Sequence, residues 1–342
     1  MNFCNLHTTL FFIFIMIKTT NVQGQSDSTY NDLPNALSSS LTSVIRLNTE
    51  YLRSNDDEAT KKAISSASLC GINECQRQFK DEKWNCSIVS GSLLKTAKLA
   101  TRESAFLFGI FSASLAHIIS TVCLKGLKQE CRYKLDPTAK DVSPTSSPLY
   151  NENCLQNCIK HGIDSSRELL SSKKIRDARW QMDEHNKEAG RTALEKIKKE
   201  TCICHGLSGA CALKKCVRIL PSFEEMGNEL KSIYNNAIKA GPDNNGQLIT
   251  HTNIKPEKNY FIFMTDSPDF CNTDVALGAI GTKGRKCSLS ANSPDSCEKL
   301  CCNRGFSEFS FLMEKTCACK FHYCCRLDCK TCQHNVTEFR CN

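Results

Sequence analysis

The chain lacks the local patterns that most often make a serine or a cysteine cluster chemically active. Ser208 has no second glycine in the place that a Gly-x-Ser-x-Gly nucleophile elbow requires. No acidic residue lies between Cys202 and Cys216 to orient His205 as the base of a hydrolase. The Cys-x-Cys-His cluster also has no partner pair at the spacing usual for zinc. A secreted hydrolase and a zinc site stay open as alternatives, but both are disfavoured.

Long apolar runs are scarce. One run, Leu10 to Ile17, precedes small and polar residues, so residues 1–24 are predicted to be a signal peptide, although they lack a basic start and an anchored start is the alternative. The other run, Ala105 to Cys123, is broken by several serines and is predicted to be a buried core helix rather than a membrane span. Without a second span, the mature protein is expected to be soluble or peripherally attached.

Cysteine, in contrast, is abundant: the 342 residues include 24 cysteines, of which twelve lie between 271 and 341. Such density is typical of a disulfide scaffold in an oxidising compartment. The net charge of +8 suits a sulfated glycan such as heparan sulfate as an acidic partner rather than nucleic acid. A matrix protein held by this surface is a further alternative, and solvated helix faces are the simpler explanation of the basic runs, which are Lys173, Lys174, Arg176, Arg179 and Lys196, Lys198, Lys199.

The pattern predicts an α+β protein of two domains. A weakly patterned arm (25–57) precedes a helical domain (58–240). One helix is expected to begin near Ser92 and to include the apolar run, and another is expected over 165–199. Ser222 and Glu225 form a capping box at the start of a further helix. A Gly/Pro/Asn-rich linker (241–256) leads to a small cystine-rich β domain (257–342).

A hairpin over residues 202–216 is predicted to present one hydroxyl. If Cys202 pairs with Cys216, and Cys204 with Cys211, two disulfides pin a small loop with Ser208 at its tip. Gly206 and Gly209 flank the serine, so the backbone can adopt left-handed angles and let a large group approach.

A second finger is predicted over residues 317–332. Opposed residues of an antiparallel hairpin have a constant sum of residue numbers, and three cysteine pairs fit one sum closely: 317 with 332, 319 with 329, and 324 with 325. Exposed side chains at the tip indicate a binding surface, with packing on the disulfides as the alternative. These tip residues are Lys320, Phe321, His322, Tyr323, Cys324, Cys325, Arg326 and Leu327.

Shorter features complete the pattern. Cys75 and Cys86 are close enough in sequence to staple a helix end to the next loop by a disulfide. Cys123 and Cys131 bracket a short turn and are also predicted to be bonded to each other. Glycosylation sequons begin at Asn85 and Asn335.

With these pieces placed, the chain resembles the Wnt family. The most specific match is Cys204-His205-Gly206-Leu207-Ser208-Gly209. The other matching motifs follow in the same order along the chain: Glu74–Phe79, Trp84–Ser87, Thr101–Phe106, His185–Arg191, Ser267–Cys271, Gly281–Arg285 and Cys317–Cys325.

The resemblance implies a secreted signal that binds without catalysis. Ser208 would be palmitoleoylated by the acyltransferase Porcupine, and the lipid would enter a groove on the cysteine-rich domain of a Frizzled receptor. The finger would make the other receptor contact, and a co-receptor of the low-density-lipoprotein-receptor-related type would complete the complex. At ~0.8 kcal/mol per methylene, a chain of roughly sixteen carbons brings about 10 kcal/mol of gross transfer free energy.

The chain departs from the family pattern at several positions. Tyr323 stands where a tryptophan is usual, and Val217-Arg218 replaces a tryptophan-bearing pair. Tyr133 replaces a cysteine, which would orphan Cys154 and predicts a compensating Cys154–Cys158 bridge. Two early cysteines usual in the family are also missing, which leaves Cys70 as the odd thiol once Cys4 is removed with the signal peptide. The family pattern further implies the pairs Cys271–Cys302, Cys287–Cys297 and Cys301–Cys341.

Overall fold

The computed structural model describes residues 58–126, 152–171, 177–205, 211, 213–323 and 325–342. The chain divides into two compact units. The first comprises the residues up to Gln78 together with Ile88–Ser267, and the second comprises Phe79–Ser87 with Pro268–Asn342. The predicted signal peptide (1–24) and arm (25–57) lie outside the described residues.

Helices dominate the first unit. They are α1 (Glu58–Phe79, whose last residue belongs to the second unit), α2 (Ser92–Lys98), α3 (Arg102–Gly126), α4 (Glu152–Leu169), α5 (Ala178–Lys196) and α6 (Phe223–Asn235). Its strands are β1 (Lys199–His205), β2 (Leu213–Ile219), β3 (Ile238–Pro242), β4 (Leu248–Thr250) and β5 (Ile262–Phe263).

The centre of this unit is α3, which is largely buried against α4, α5 and α6. Among the described helices it alone is long and apolar enough to span a membrane, and its burial agrees with the predicted core helix. Glycine makes the close helix crossing possible: a Cβ at Gly190 of α5 would lie 2.1 Å from the carbonyl oxygen of Gly109.

Two helix predictions differ from the structure in extent. The helix expected from Ser92 is two helices, because the chain turns at 99–101 before α3 begins. The helix expected over 165–199 is also two, since α4 ends at Leu169 and α5 starts at Ala178, capped by the Asp177 side chain. The capping box of Ser222 and Glu225 is present at the start of α6.

The segment predicted as a linker is part of the first unit. Residues 241–256 include the end of β3 and all of β4, which pair in antiparallel fashion. Ala240 and Leu248 pack with Met182 and Ile262 in one apolar cluster. The division between the units follows Ser267 because burial of these side chains holds the strands in the first unit.

The second unit is small and rich in strands and disulfides. Its elements are β6 (Thr273–Asp274), β7 (Ala279–Ile280), β8 (Lys286–Cys287), α7 (Cys297–Leu300), β9 (Phe306–His322) and β10 (Arg326–Cys341). Its disulfides include the three that the family pattern implied, which are Cys271–Cys302, Cys287–Cys297 and Cys301–Cys341.

Candidate functional site

The first candidate element is the hairpin of β1 and β2. Cys202 lies directly opposite Cys216 in the ladder and is bonded to it, with a Cα–Cα distance of 4.0 Å. Cys204, which lies opposite Lys214 in the ladder, is bonded to Cys211, two residues before the start of β2. Both predicted bridges are therefore present. The loop that they close contains Ser208, Gly206 and Gly209, which lie outside the described residues, as does the side chain of His205.

The base of this hairpin is held by polar contacts within the first unit. The Lys199 ammonium donates to the Glu225 carboxylate at 2.8 Å, and the same carboxylate accepts from the backbone N–H of Ser222. Arg218 of β2 forms an ion pair with Glu152 at 3.7 Å. These contacts orient the hairpin relative to α4 and α6.

Some residues of the basic runs form contacts within the first unit. The Arg179 guanidinium donates to the carbonyls of Ala97 and Lys98 and pairs with Asp183, and Lys199 is the hairpin contact just described. Lys196 and Lys198 are exposed, while Lys173, Lys174 and Arg176 lie outside the described residues. Among the described basic residues, Arg179 and Lys199 are therefore engaged within the fold, and Lys196 and Lys198 are left as candidates for binding a glycan.

Cysteine clusters in the described structure are oxidised. The four cysteines of the first hairpin are in disulfides, so they offer no thiolate to zinc. Cys287, Cys301 and Cys341 bring their sulfur atoms together in the second unit, but each belongs to a disulfide as well.

The second candidate element is the hairpin of β9 and β10, which runs from Phe306 to Cys341 and is much longer than the predicted finger. The disulfides Cys317–Cys332 and Cys319–Cys329 are present as predicted. The register shifts by one near Asp328, where Ala318 has a positive φ of 43°, as in a β-bulge. Below this shift Cys317 lies opposite Lys330 and Cys332 lies opposite Lys315, so the outer cysteine pair is diagonal across the ladder.

The tip of this hairpin is exposed. Tyr323 is 99% exposed, Phe321 is 70% and Leu327 is 62%. These side chains therefore do not pack on the disulfides, and the alternative reading of the tip is excluded. His322 lies 3.5 Å from Asp328, and Lys320 is exposed as well.

The predicted bond between Cys324 and Cys325 is wrong, because Cys325 carries a free, exposed thiol. Adjacent Cα atoms lie about 3.8 Å apart, which is shorter than the separation that disulfides usually span. Cys325 has a positive φ of 77° in the turn, and Cys324 lies outside the described residues.

Three further cysteine predictions are wrong. Cys123 is bonded to Cys158, with a Cα–Cα distance of 5.6 Å, so neither Cys123–Cys131 nor Cys154–Cys158 forms. The reason is the packing of α3 beside α4, which brings Cys158 to Cys123 across the interface. Cys154 is in a disulfide, and so is Cys70, which is not the odd thiol.

The paired cysteines near α1, the two glycosylation sequons and the core histidine have the following environments. Cys75 and Cys86 are both disulfide-bonded, and their mutual pairing stays a prediction. Asn85 is partly buried and Asn335 is exposed on β10. His117 is a satisfied core residue: its Nε2 lies 2.8 Å from the carbonyl oxygen of Pro221, and burial lowers its pKa.

The matching motif at 185–191 supports the hairpin from within the first unit. Asn186 makes two hydrogen bonds to the backbone of Ile262, at 2.8 and 2.9 Å, and thereby ties α5 to β5. Arg191 is buried and donates to Ser166 and Glu188. Since α5 leads directly into β1, these contacts fix the helix from which the first hairpin projects.

Known proteins share this arrangement. A family model described as the Wnt family matches residues 45–342. Protein Wnt-2 of Caenorhabditis elegans is 36% identical over 293 residues, covering 81% of this chain and 80% of that protein. Protein Wnt-1 of the same species is 32% identical over 347 residues, covering 91% and 90%. A chain in the solved structure of human WLS in complex with WNT8A has a TM-score of 0.60 at 29% identity, with 88% of this chain and 100% of that chain covered.

The chain belongs to the Wnt family. Wnt proteins are secreted developmental signalling ligands and not enzymes, and the α+β fold with its many disulfides agrees with that class.

Sequence reasoning missed an apolar surface on the second hairpin. Phe309, Phe311 and Met313 are exposed on β9, below the tip. Their spacing of two along the chain places them on one side of a strand, a signal that could have been found, although Leu312 interrupts a strict apolar–polar alternation.

Proposed function

We propose that this Wnt ligand binds the cysteine-rich domain of a Frizzled receptor through two elements and acts without catalysis. One is a palmitoleoyl chain on Ser208, attached by Porcupine in the endoplasmic reticulum. The other is the tip of the second hairpin, Lys320 to Leu327. A co-receptor of the low-density-lipoprotein-receptor-related type would complete the signalling complex, and a WLS-type carrier would accompany the lipidated protein during secretion.

The first hairpin supports the lipid part of this proposal. Two disulfides and the antiparallel ladder fix both ends of the loop that contains Ser208. A rigid support reduces the ordering cost of presenting a flexible acyl chain to a receptor groove. The loop is otherwise short of groups that could activate the serine for chemistry, as the sequence indicated.

The exposed tip of the second hairpin is the observation that carries the proposal. Tyr323 is 99% exposed, and the apolar side chains of Phe321 and Leu327 are exposed beside it. Exposure of this apolar surface to water is unfavourable, so its burial against a partner would be favourable. Such aromatic and aliphatic anchors are enriched at binding hot spots. Disulfides directly behind the tip hold these anchors in one conformation.

Heparan sulfate remains a proposed secondary partner. Lys196 and Lys198 are exposed, and Lys214 and Lys215 add two exposed ammonium groups on the first hairpin. Screening by salt would weaken this binding more than the lipid contact.

The first test is mass spectrometry of the peptide containing Ser208, without reduction, on protein secreted by cells with an active acyltransferase. A monounsaturated acyl ester on Ser208 is expected. Binding to an immobilised Frizzled cysteine-rich domain should then fall at least a hundredfold for Ser208→Ala and remain within twofold for Lys214→Ala, a surface change on the same hairpin. A bare serine with unchanged receptor binding would refute the lipid-dependent mechanism.

A further inference from the structure

The long hairpin has two chemically different faces. Cross-strand neighbours lie on the same face, and the register pairs Phe309 with Glu338, Phe311 with Val336 and Met313 with His334. We call this side the aromatic face. Contacts agree with the assignment, because the Arg340 guanidinium lies 5.8 Å from the ring centre of Phe309.

Basic side chains border the aromatic face at both ends. Arg340 lies at the base, while Lys315 and Lys330 lie toward the tip, and all three are exposed. The acid on this face, Glu338, is paired with Lys286 and Arg340. The aromatic face is therefore apolar in its middle and positively charged at its ends.

The opposite face has another character. It carries the exposed acids Glu308 and Glu314, which lie on β9 just before Phe309 and just after Met313. The sequon residue Asn335 also lies there, opposite Leu312, so a glycan on it would leave the aromatic face open. Near the base, Phe339 on this side packs on the disulfide core of the second unit. The aromatic face is thus the one turned away from that core.

The exposure of the aromatic face is costly to the protein in water. Phe309 is 50% exposed, Met313 is 44% and Phe311 is 39%. A two-stranded hairpin gains little from its ladder alone and needs its apolar side covered. Disulfides lie on both sides of the Phe309–Met313 stretch: Cys317–Cys332 toward the tip of the hairpin, and Cys301–Cys341 at its base.

We infer that the aromatic face binds the surface of an anionic lipid bilayer. Phenylalanine and methionine would enter the boundary between headgroups and acyl chains, while the bordering lysines and arginine contact acidic headgroups. The charge distribution favours an anionic bilayer as the partner, because basic side chains flank the apolar centre of the aromatic face. Glu308 and Glu314 lie on the opposite face. This contact goes beyond the receptor binding proposed above and does not require acylation of Ser208.

The test uses the full secreted chain with Ser208→Ala, so that no acyl chain contributes. Flotation with vesicles of phosphatidylcholine containing phosphatidylserine is compared with flotation with phosphatidylcholine alone. The double variant Phe309→Thr/Phe311→Thr removes the aromatic rings and keeps residues that favour strands. The matched control is Leu312→Thr, since Leu312 is 67% exposed on the same strand but on the opposite face.

Binding to the anionic vesicles is expected, with at least a tenfold loss for the double variant and less than twofold for Leu312→Thr. Lys315→Gln/Lys330→Gln should weaken binding about tenfold or more, because each base near an anionic surface is worth roughly fivefold. Non-reducing peptide mapping of Cys317–Cys332 verifies that each variant is folded. The inference would be overturned if Leu312→Thr lost as much binding as the double variant, or if neutral vesicles bound as well as anionic ones. It would also be overturned if no vesicles bound. In that last case, intact binding to cell-surface protein would assign the aromatic face to a protein partner.

Discussion

Phe321 and Leu327 are directly opposed across the last rungs of the second hairpin, and each exposes more than half of its side chain. Tyr323 lies in the turn between them. Three apolar groups thus surround one rigid turn, where their loss should affect binding more than folding.

Truncation of this cluster should therefore weaken receptor binding. Phe321→Ala and Leu327→Ala are each expected to reduce affinity for a Frizzled cysteine-rich domain by about 1–2 kcal/mol, roughly five- to thirtyfold, because buried anchors dominate interfaces. Surface plasmon resonance on acylated protein would measure the loss. Leu312→Ala is the control, since Leu312 is similarly exposed but remote from the tip in sequence. Equal effects of all three would contradict the assignment.

Tyr323→Trp should strengthen the same contact. Tryptophan adds apolar area at a position that is 99% exposed in the free protein, so the added area becomes buried only on binding. The expected gain is about twofold to tenfold in affinity, with unchanged thermal stability. A decrease in affinity would mean that the partner is adapted to tyrosine at this position.

The Cys123–Cys158 bridge should contribute to stability. It joins α3 to α4 across a separation of 35 residues, so the double change Cys123→Ser/Cys158→Ser should lower the free energy of unfolding by about 3–4 kcal/mol. Denaturant titration measures this difference. Cys325→Ser is the control and should have little effect, because its thiol is free. A double variant as stable as the wild type would contradict a stabilising role for this bridge.

The free thiol of Cys325 should be reactive in the folded protein. It is exposed, so a maleimide reagent is expected to label it without denaturant or reductant. Labelling is read by mass spectrometry and should vanish in Cys325→Ser. Absence of labelling in the native protein would show that Cys325 is bonded after all.

Stability should change with pH through Asp183. Burial raises the pKa of this carboxyl from 3.8 to about 6, against the opposing effect of the Arg179 guanidinium. The folded state thus holds the proton more tightly than the unfolded state, so the contribution of Asp183 is greatest below 3.8 and is lost as pH rises through about 6. The loss amounts to at most about 3 kcal/mol.

Comparison of unfolding curves between about pH 4 and pH 7 isolates this effect. The difference between wild type and Asp183→Asn should shift in favour of the variant as pH rises. Asp164→Asn removes an exposed carboxylate from α4 and should leave the wild-type profile nearly unchanged. Parallel profiles for wild type and Asp183→Asn would assign the pH dependence to other groups.

Local patterns predicted much of this molecule because their causes are local. The capping box at Ser222, the nested bridges of the first hairpin and the two outer pairs of the second follow from spacing along one short segment. The Cys123–Cys158 bond does not, because it depends on how two helices pack, which no neighbouring residue encodes.

The wrong predictions of the linker and of the hairpin register also arise from contacts between residues that are distant in sequence. Residues 241–256 have the composition of a linker, yet Leu248 is buried by side chains from α5 and β5 that lie far away in sequence. The register shift near Ala318 is likewise invisible to a count of residue numbers, since one extra residue in a strand preserves nearly the same sum.

Residues 79–87 belong to the second unit although they precede most of the first. Phe79 and Trp84 pack edge to face there with ring centres 4.7 Å apart. The Arg285 guanidinium donates to the carbonyls of Lys80, Glu82 and Lys83. During synthesis this short segment is made long before residues 268–342, with which it forms the second unit, so its contacts with them form late. A fragment beginning at Pro268 would therefore lack part of its own interior, and we do not expect it to fold as an independent domain.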